Sequence, residues 1–337
     1  VGESAIIAGC RYYFAYPITP QNEIPAYMSK RLPQVGGTFL QAESEIAAIS
    51  MVMGSSAAGA RVMTSSSSPG IALKQEGISY LSGARLPAVV VNMMRGGPGL
   101  GNIAGAQGDY YQATRGGGNG DYRTIVFGPG NVQELADYTF RAFDLADKYR
   151  VVVMILGDGY LGQMSEPLVL PDGKPSIPEK PWALTGAKGR DPNTIASLRL
   201  TPENYLEKHN LELDAVYREI REKETLSESF MTEDADFVLA AYGTSSRVCR
   251  KAVRALRSQG IKAGLFRPIT LWPFPEKELA SLAKKVKKIL AVEMSLGQMV
   301  DDVILSAGSF TDIDFYGRAG GMIPEAEIIV ERVKSYA

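Results

Sequence analysis

The chain holds only two cysteines, Cys10 and Cys249, and one histidine, His209, in 337 residues. Two thiols cannot hold an iron–sulfur cluster, which takes four protein ligands. Nor do they make a disulfide scaffold. Both lie in apolar-rich segments, where a free thiol is ordinarily buried. A lone histidine in a charged stretch speaks against Ser-His-Asp chemistry and against a histidine-rich metal site. Apolar runs long enough to span a bilayer are missing. The longest, Ala88–Met94 and Val151–Leu156, read as buried strands. Charge of one sign is not in excess either: 36 basic residues face 37 acidic ones. That balance excludes nucleic acid and an anionic membrane as main partners. With no signal peptide visible, a cytoplasmic location is expected. Chemistry is left to carboxylate, arginine, hydroxyl, lysine or a borrowed cofactor.

What is present is alternation. Strand-like runs at Arg11–Tyr16, Thr38–Gln41, Arg61–Ser65, Ala88–Met94, Thr124–Phe127 and Val151–Leu156 are separated by helical stretches at Gln21–Lys30, Ser44–Ala60 and Val132–Tyr149. This order predicts a parallel sheet covered on both faces, an α/β domain over 1–166. The helical pattern already running at Ser4–Gly9 predicts that residues precede Val1. The stretch 167–235 turns rich in Pro, Lys, Glu and Asp, with a charged helical look over Pro202–Glu224. It reads as an arm wrapping a partner or the other domain, or as a solvated connection. Alternation resumes over 236–337. Strands are expected at Asp236–Ala241, Ile261–Phe266 and Lys288–Val292. Helices are expected at Ser245–Gln259, Glu276–Lys287, Leu296–Ser306 and Pro324–Tyr336. Two α/β domains suit the chain length.

Four segments carry candidate chemistry. In Tyr16-Pro17-Ile18-Thr19-Pro20 a strand ends and two prolines bracket a threonine before a helix. Ligands of open α/β sheets bind beyond the carboxyl ends of strands, so Thr19 is either a helix cap or a hydroxyl at an anion site. In Gln41-Ala42-Glu43-Ser44-Glu45 two acids flank a helix entry, which dipole pairing alone would explain. Yet Glu45 precedes Ile46, Ala47, Ala48 and Ile49. A carboxylate pressed on an apolar helix face is desolvated and so inclined to keep a proton. Thr64–Gly70 is a run of small polar residues that would line a polar ring edge, cradle an anion or simply form a turn. Arg95-Gly96-Gly97-Pro98 follows the most apolar strand and opens a long glycine-rich loop. Arg95 there suits a bidentate grip on a carboxylate, or is a surface residue of a flexible loop. Gly157-Asp158-Gly159 resembles the start of a thiamine-diphosphate metal motif, but no asparagine follows at the spacing required, so Asp158 reads as a turn residue.

Taken in order, Tyr16–Pro20, Gln41–Glu45, Thr64–Gly70, Arg95–Pro98, Gln107–Asp109 and Glu293–Gln298 resemble the alpha subunits of 2-oxoacid:ferredoxin oxidoreductases. The likeness is greatest to the 2-oxoisovalerate (branched-chain) type, with the 2-oxoglutarate type next. The resemblance implies a pyrimidine-binding domain of the thiamine-diphosphate type followed by a transketolase C-terminal-like domain. It implies that Glu45 bonds the aminopyrimidine N1′ and, by its proton, favours the 4′-imino tautomer. It implies that Thr19 and Arg95 hold the substrate carboxylate, with Pro17, Thr19, Ser66 and Ser67 lining the cofactor. A beta subunit would carry the diphosphate and Mg²⁺, and a gamma or iron–sulfur subunit the clusters. Coenzyme A and a 2-oxoacid would be the small-molecule substrates, and ferredoxin the electron acceptor. A non-oxidative decarboxylase or transketolase-like half, and an inactive scaffold subunit, are the alternatives. The chain departs from the family at Asn119, where a histidine is expected. Asparagine cannot titrate near neutrality.

Overall fold

The computed structural model describes residues 1–187 and 189–336. The first half runs α1 (Gly2–Ile7), β1 (Tyr12–Ala15), α2 (Glu23–Arg31), β2 (Thr38–Gln41), α3 (Glu45–Ala57), β3 (Val62–Ser66), α4 (Ser68–Gly83) and β4 (Ala88–Met94). It continues through α5 (Tyr110–Arg115), β5 (Ile125–Phe127), α6 (Val132–Tyr149), β6 (Val152–Asp158) and α7 (Gly159–Gly162). Then come α8 (Tyr205–Lys223), β7 (Ser227–Phe230), β8 (Phe237–Ala240), α9 (Gly243–Ser258), β9 (Ala263–Pro268) and β10 (Thr270–Trp272). The chain closes with α10 (Glu276–Ala283), β11 (Lys288–Glu293), α11 (Met299–Ala307), β12 (Asp312–Gly317) and α12 (Ala326–Lys334).

Every residue of β4 and β6 is buried, because the two lie side by side at the middle of a sheet with helices on both faces. The seven strands are ordered β10-β5-β6-β4-β3-β1-β2, all parallel except β10. The chain steps from β1 outward to β2, then returns to place β3 on the other side of β1. That reversal makes the carboxyl ends of β1 and β3 the topological switch point, where open α/β sheets leave a crevice. Helix boundaries follow from capping. Asn131 accepts from the Glu134 N–H at 2.8 Å to start α6, which ends on Arg150 in the left-handed region.

A second sheet, β12-β11-β8-β9-β7, forms the C-terminal α/β layer, parallel but for β7. β10 crosses back to the first sheet, so the two layers share a strand connection. The stretch 167–235 is neither featureless nor free. Arg61 donates to Ser176 O at 2.8 Å, Lys180 meets Asp147 at 2.5 Å, and the Leu184 N–H donates to Ala57 O. His209 on α8 bonds Gly83 O at 2.9 Å, at the far end of α4. The segment is a strap laid along the first sheet's helices, ending in α8 and β7.

Two buried polar residues, Gln107 and Asp158, pin the two sheets together, and a third, Glu293, braces the C-terminal layer beside them. Gln107 donates to Tyr242 O and accepts from Ser245 Oγ and the Met294 N–H, all within 2.9 Å. Asp158 is no plain turn residue. It caps α7 through the Leu161 N–H and takes both the N–H and hydroxyl of Thr244 in the first turn of α9. Glu293 accepts the N–H groups of Met299 and Val300, closing the start of α11. Burial pushes the carboxyls of Asp158 and Glu293 above the usual range, with these donors pulling the other way.

Candidate functional site

Four of the loops at the carboxyl ends of the first sheet converge on the switch point. Ser44 starts α3 by accepting from the Ala47 N–H at 3.1 Å, which makes Glu45 the first helical residue. Glu45 is only 6% exposed. Its carboxylate lies against the first turn of α4: a Cβ built on Gly70 would sit 2.6 Å from Glu45 Oε1 and would collide with Ser66 Oγ. Only glycine allows that approach. Ser66 and Ser67 are fully buried, and neither hydroxyl finds a hydrogen-bond partner among the described residues. A buried hydroxyl without a partner costs on the order of 1–3 kcal/mol, so two side by side mark a place left open for something else.

Thr19 and Arg95 are also brought together. Arg95 follows β4 and donates from Nη1 to Thr19 O at 2.9 Å and from Nη2 to Leu100 O at 3.0 Å. Its backbone N–H reaches Ser68 Oγ at 3.0 Å, at the start of α4. The grip expected of Arg95 is therefore partly engaged in holding two loops, while its buried Nε has no partner. Arg95 is not a surface residue. The helix-cap reading of Thr19 is overturned: Asn22 occupies the N-cap of α2, and Asn22 Nδ2 donates to the half-buried Thr19 hydroxyl at 3.3 Å. Pro17 stands exposed at the crevice lip. Glu45 with Ser66, and Arg95 with Ser68, flank one helix start from opposite sides.

Of the residues that brace this helix start, Ser68 and Asp109 lie in segments singled out in the sequence without a role of their own, and Asn92 does not. Asp109 accepts from Ser68 Oγ at 2.6 Å and from Asn92 Nδ2 at 2.9 Å, and its burial raises the carboxyl above the usual range. Asn92 is the polar interruption in the otherwise apolar β4, a readable signal. Asn119 lies away from Glu45, exposed on its loop, where Ser79 Oγ donates to it at 3.0 Å.

Comparison with known proteins gives the family and agrees with the fold. Residues 3–233 match the family described as pyruvate flavodoxin/ferredoxin oxidoreductase, thiamine diP-binding, and residues 235–329 match pyruvate:ferredoxin oxidoreductase core domain II. The chain is 48% identical to the ketoisovalerate oxidoreductase subunit VorB of Methanothermobacter thermautotrophicus, over 99% of this chain and 94% of that one. It is 35% identical to the 2-oxoglutarate synthase subunit KorA of the same organism, over 98% and 94% of the two chains. Among solved structures it superposes on the 2-oxoglutarate:ferredoxin oxidoreductase of Magnetococcus marinus with a TM-score of 0.83 at 28% identity. That match covers 99% of this chain and 63% of that one. A split-gene transketolase, 14% identical over 99% of this chain and 95% of that one with a TM-score of 0.61, shares the fold. The chain belongs to the pyruvate flavodoxin/ferredoxin oxidoreductase family, whose members oxidise 2-oxoacids.

Proposed function

We propose that this chain is the alpha subunit of a 2-oxoacid:ferredoxin oxidoreductase acting on a branched-chain 2-oxoacid such as 2-oxoisovalerate. The reaction releases carbon dioxide, joins the acyl group to coenzyme A and passes the electron pair to ferredoxin. The relatives' names favour this substrate, with identity to the ketoisovalerate subunit well above that to the 2-oxoglutarate subunit.

The observation that carries the reading is the buried carboxyl of Glu45 beside the two unpartnered serine hydroxyls. A buried carboxyl next to a buried hydroxyl without a partner fits the polar edge of an aminopyrimidine. Thiamine diphosphate, when bound, supplies the nucleophilic carbon and electron sink that a 2-oxo carbon needs. Glu45 would meet the pyrimidine N1′ edge as its hydrogen-bonding acid. Ser66 and Ser67 orient the ring edge, and Pro17 closes the lip. The Thr19 hydroxyl and the free Nε of Arg95 hold the substrate carboxylate; fixing an acid this way contributes several kcal/mol through orientation.

Exposed apolar side chains lie on the elements around the crevice: Ile46 on α3, Leu73 on α4, Leu100 and Ile103 beyond Arg95. Such a patch calls for a protein partner. In this reading that partner is the beta subunit, which holds the diphosphate and Mg²⁺, while a gamma or iron–sulfur subunit carries electrons onward. The assembled complex should reduce a viologen dye when given 2-oxoisovalerate, coenzyme A and thiamine diphosphate. Absence of dye reduction with every 2-oxoacid tested overturns the reading.

A further inference from the structure

Lys74 is the one lysine on the inner face of α4, and it is completely buried. Its ammonium donates to Thr64 Oγ1 at 3.0 Å and has no carboxylate hydrogen-bonded to it. The fold places it directly under the Glu45 site. On α4, Gly70 and Lys74 are one turn apart and share a face. On β3, Thr64 and Ser66 are two apart and share a face. Gly70 and Ser66 meet the Glu45 carboxylate in the upper layer, and Lys74 and Thr64 form the layer beneath. Of the acids on elements packed around it, Glu76 on its own helix points to solvent and Asp109 is engaged by Ser68 and Asn92. Glu45 on α3 is the charge that Lys74 feels, drawing its ammonium up while burial pulls it down to about 8.

We propose that Lys74 is a positioning residue for Glu45: its buried ammonium steadies the carboxylate from below and sets how readily Glu45 keeps the proton it presents to the cofactor. The inference rests on the reading of Glu45 given above. A cation in the lower layer favours the ionised carboxylate.

The test is the pH dependence of thiamine diphosphate binding to the assembled complex, read by fluorescence quenching. With Lys74→Met, which keeps length and removes charge, Glu45 should hold its proton further into alkali. The alkaline limb of affinity should move up by about 1 pH unit. Lys74→Arg, which keeps the charge, should return the limb to its original place. Should the arginine fail to fit, Lys74→Gln must reproduce the methionine result. A K74M limb superimposable on wild type, or a uniform loss of affinity without a shift, overturns the role of Lys74. Glu45→Gln separates the two layers of argument. If it removes the limb while K74M leaves it unmoved, only the lysine inference fails. If E45Q itself binds cofactor as wild type does, the reading of Glu45 fails with it.

Discussion

Two parts of this molecule bury polar side chains at the ends of strands, and they do so in opposite ways. At the seam between the sheets, Gln107 and Asp158 meet donors and acceptors from the opposing layer, and Glu293 beside them is satisfied within its own layer. At the switch point, Ser66, Ser67 and the Nε of Arg95 are equally buried yet have no partner. Burial without satisfaction costs free energy, and a fold tolerates it where a ligand or another chain completes the set. The seam is therefore architecture and the switch point is the candidate site, though both are built from short polar residues. Asp158, which sits in a sequence suggestive of a metal motif, belongs to the first kind; Glu45 belongs to the second.

The sharpest way to break this contrast is to substitute one acid from each region. Glu45→Gln should slow C2 hydrogen exchange of bound thiamine diphosphate about 10²–10⁴-fold, the usual value of a positioned acid. The circular dichroism spectrum of the complex should not change. An exchange rate within a factor of two of wild type would show that the buried acid is structural after all. Asp158→Ala should do the reverse. It strands the hydroxyl and N–H of Thr244 and uncaps α7. The loss should be about 3 kcal/mol of unfolding free energy in urea, with cofactor affinity preserved. A loss below about 1 kcal/mol would mean that the seam is not what joins the layers.

Much of this was legible before any coordinates. Central elements announced themselves, the strand Ala88–Met94 by a near-continuous apolar run and the helix Val132–Tyr149 by apolar residues at helical spacing, and both have the bounds expected of them. The strands that went unread, β7, β10 and β12, are short or half-exposed and carry Ser, Glu, Thr and Asp where a buried strand would carry Val or Ile. The 167–235 strap was legible in composition but not in path, since its anchors at Asp147, Ala57 and Gly83 are far away in sequence. Within the site, Glu45, Ser66, Ser67 and Arg95 were found from strand ends. The bracing contacts among Ser68, Asn92 and Asp109 were not, because they cross between loops far apart in sequence. Lys74 had a signal that went unused: it occupies the inward stripe with Ile71 and Ile78, where lysine rarely sits.

That lysine extends the comparison to pH. Its buried ammonium is held down to about 8, from an ordinary value of 10.5. Between those two pH values the unfolded chain binds the proton more tightly than the folded one, so stability rises with pH across the window. The free-energy difference between wild type and Lys74→Met should therefore shift in favour of wild type from pH 8 to pH 10.5, by on the order of 2 kcal/mol. Urea unfolding of the two proteins at each end of the window measures it. A constant difference would mean that Lys74 keeps its charge buried at no cost, and the layer beneath Glu45 would then resemble the seam.

The smallest effect discriminates most finely. Ser66→Ala removes a hydroxyl that the folded chain buries without a partner. At the seam, deleting a hydroxyl such as that of Thr244 abandons a carboxylate and must destabilise. At the switch point, deleting one abandons nothing in the protein. Unfolding free energy should stay within about 0.5 kcal/mol of wild type or rise slightly, because an unmet desolvation cost is relieved. Cofactor affinity should fall by about tenfold, the worth of one hydrogen bond near 1.4 kcal/mol. Equilibrium unfolding and cofactor titration on the same preparation give both numbers. If stability drops while affinity holds, Ser66 is satisfied within the protein, and the line drawn between the two regions disappears at that residue.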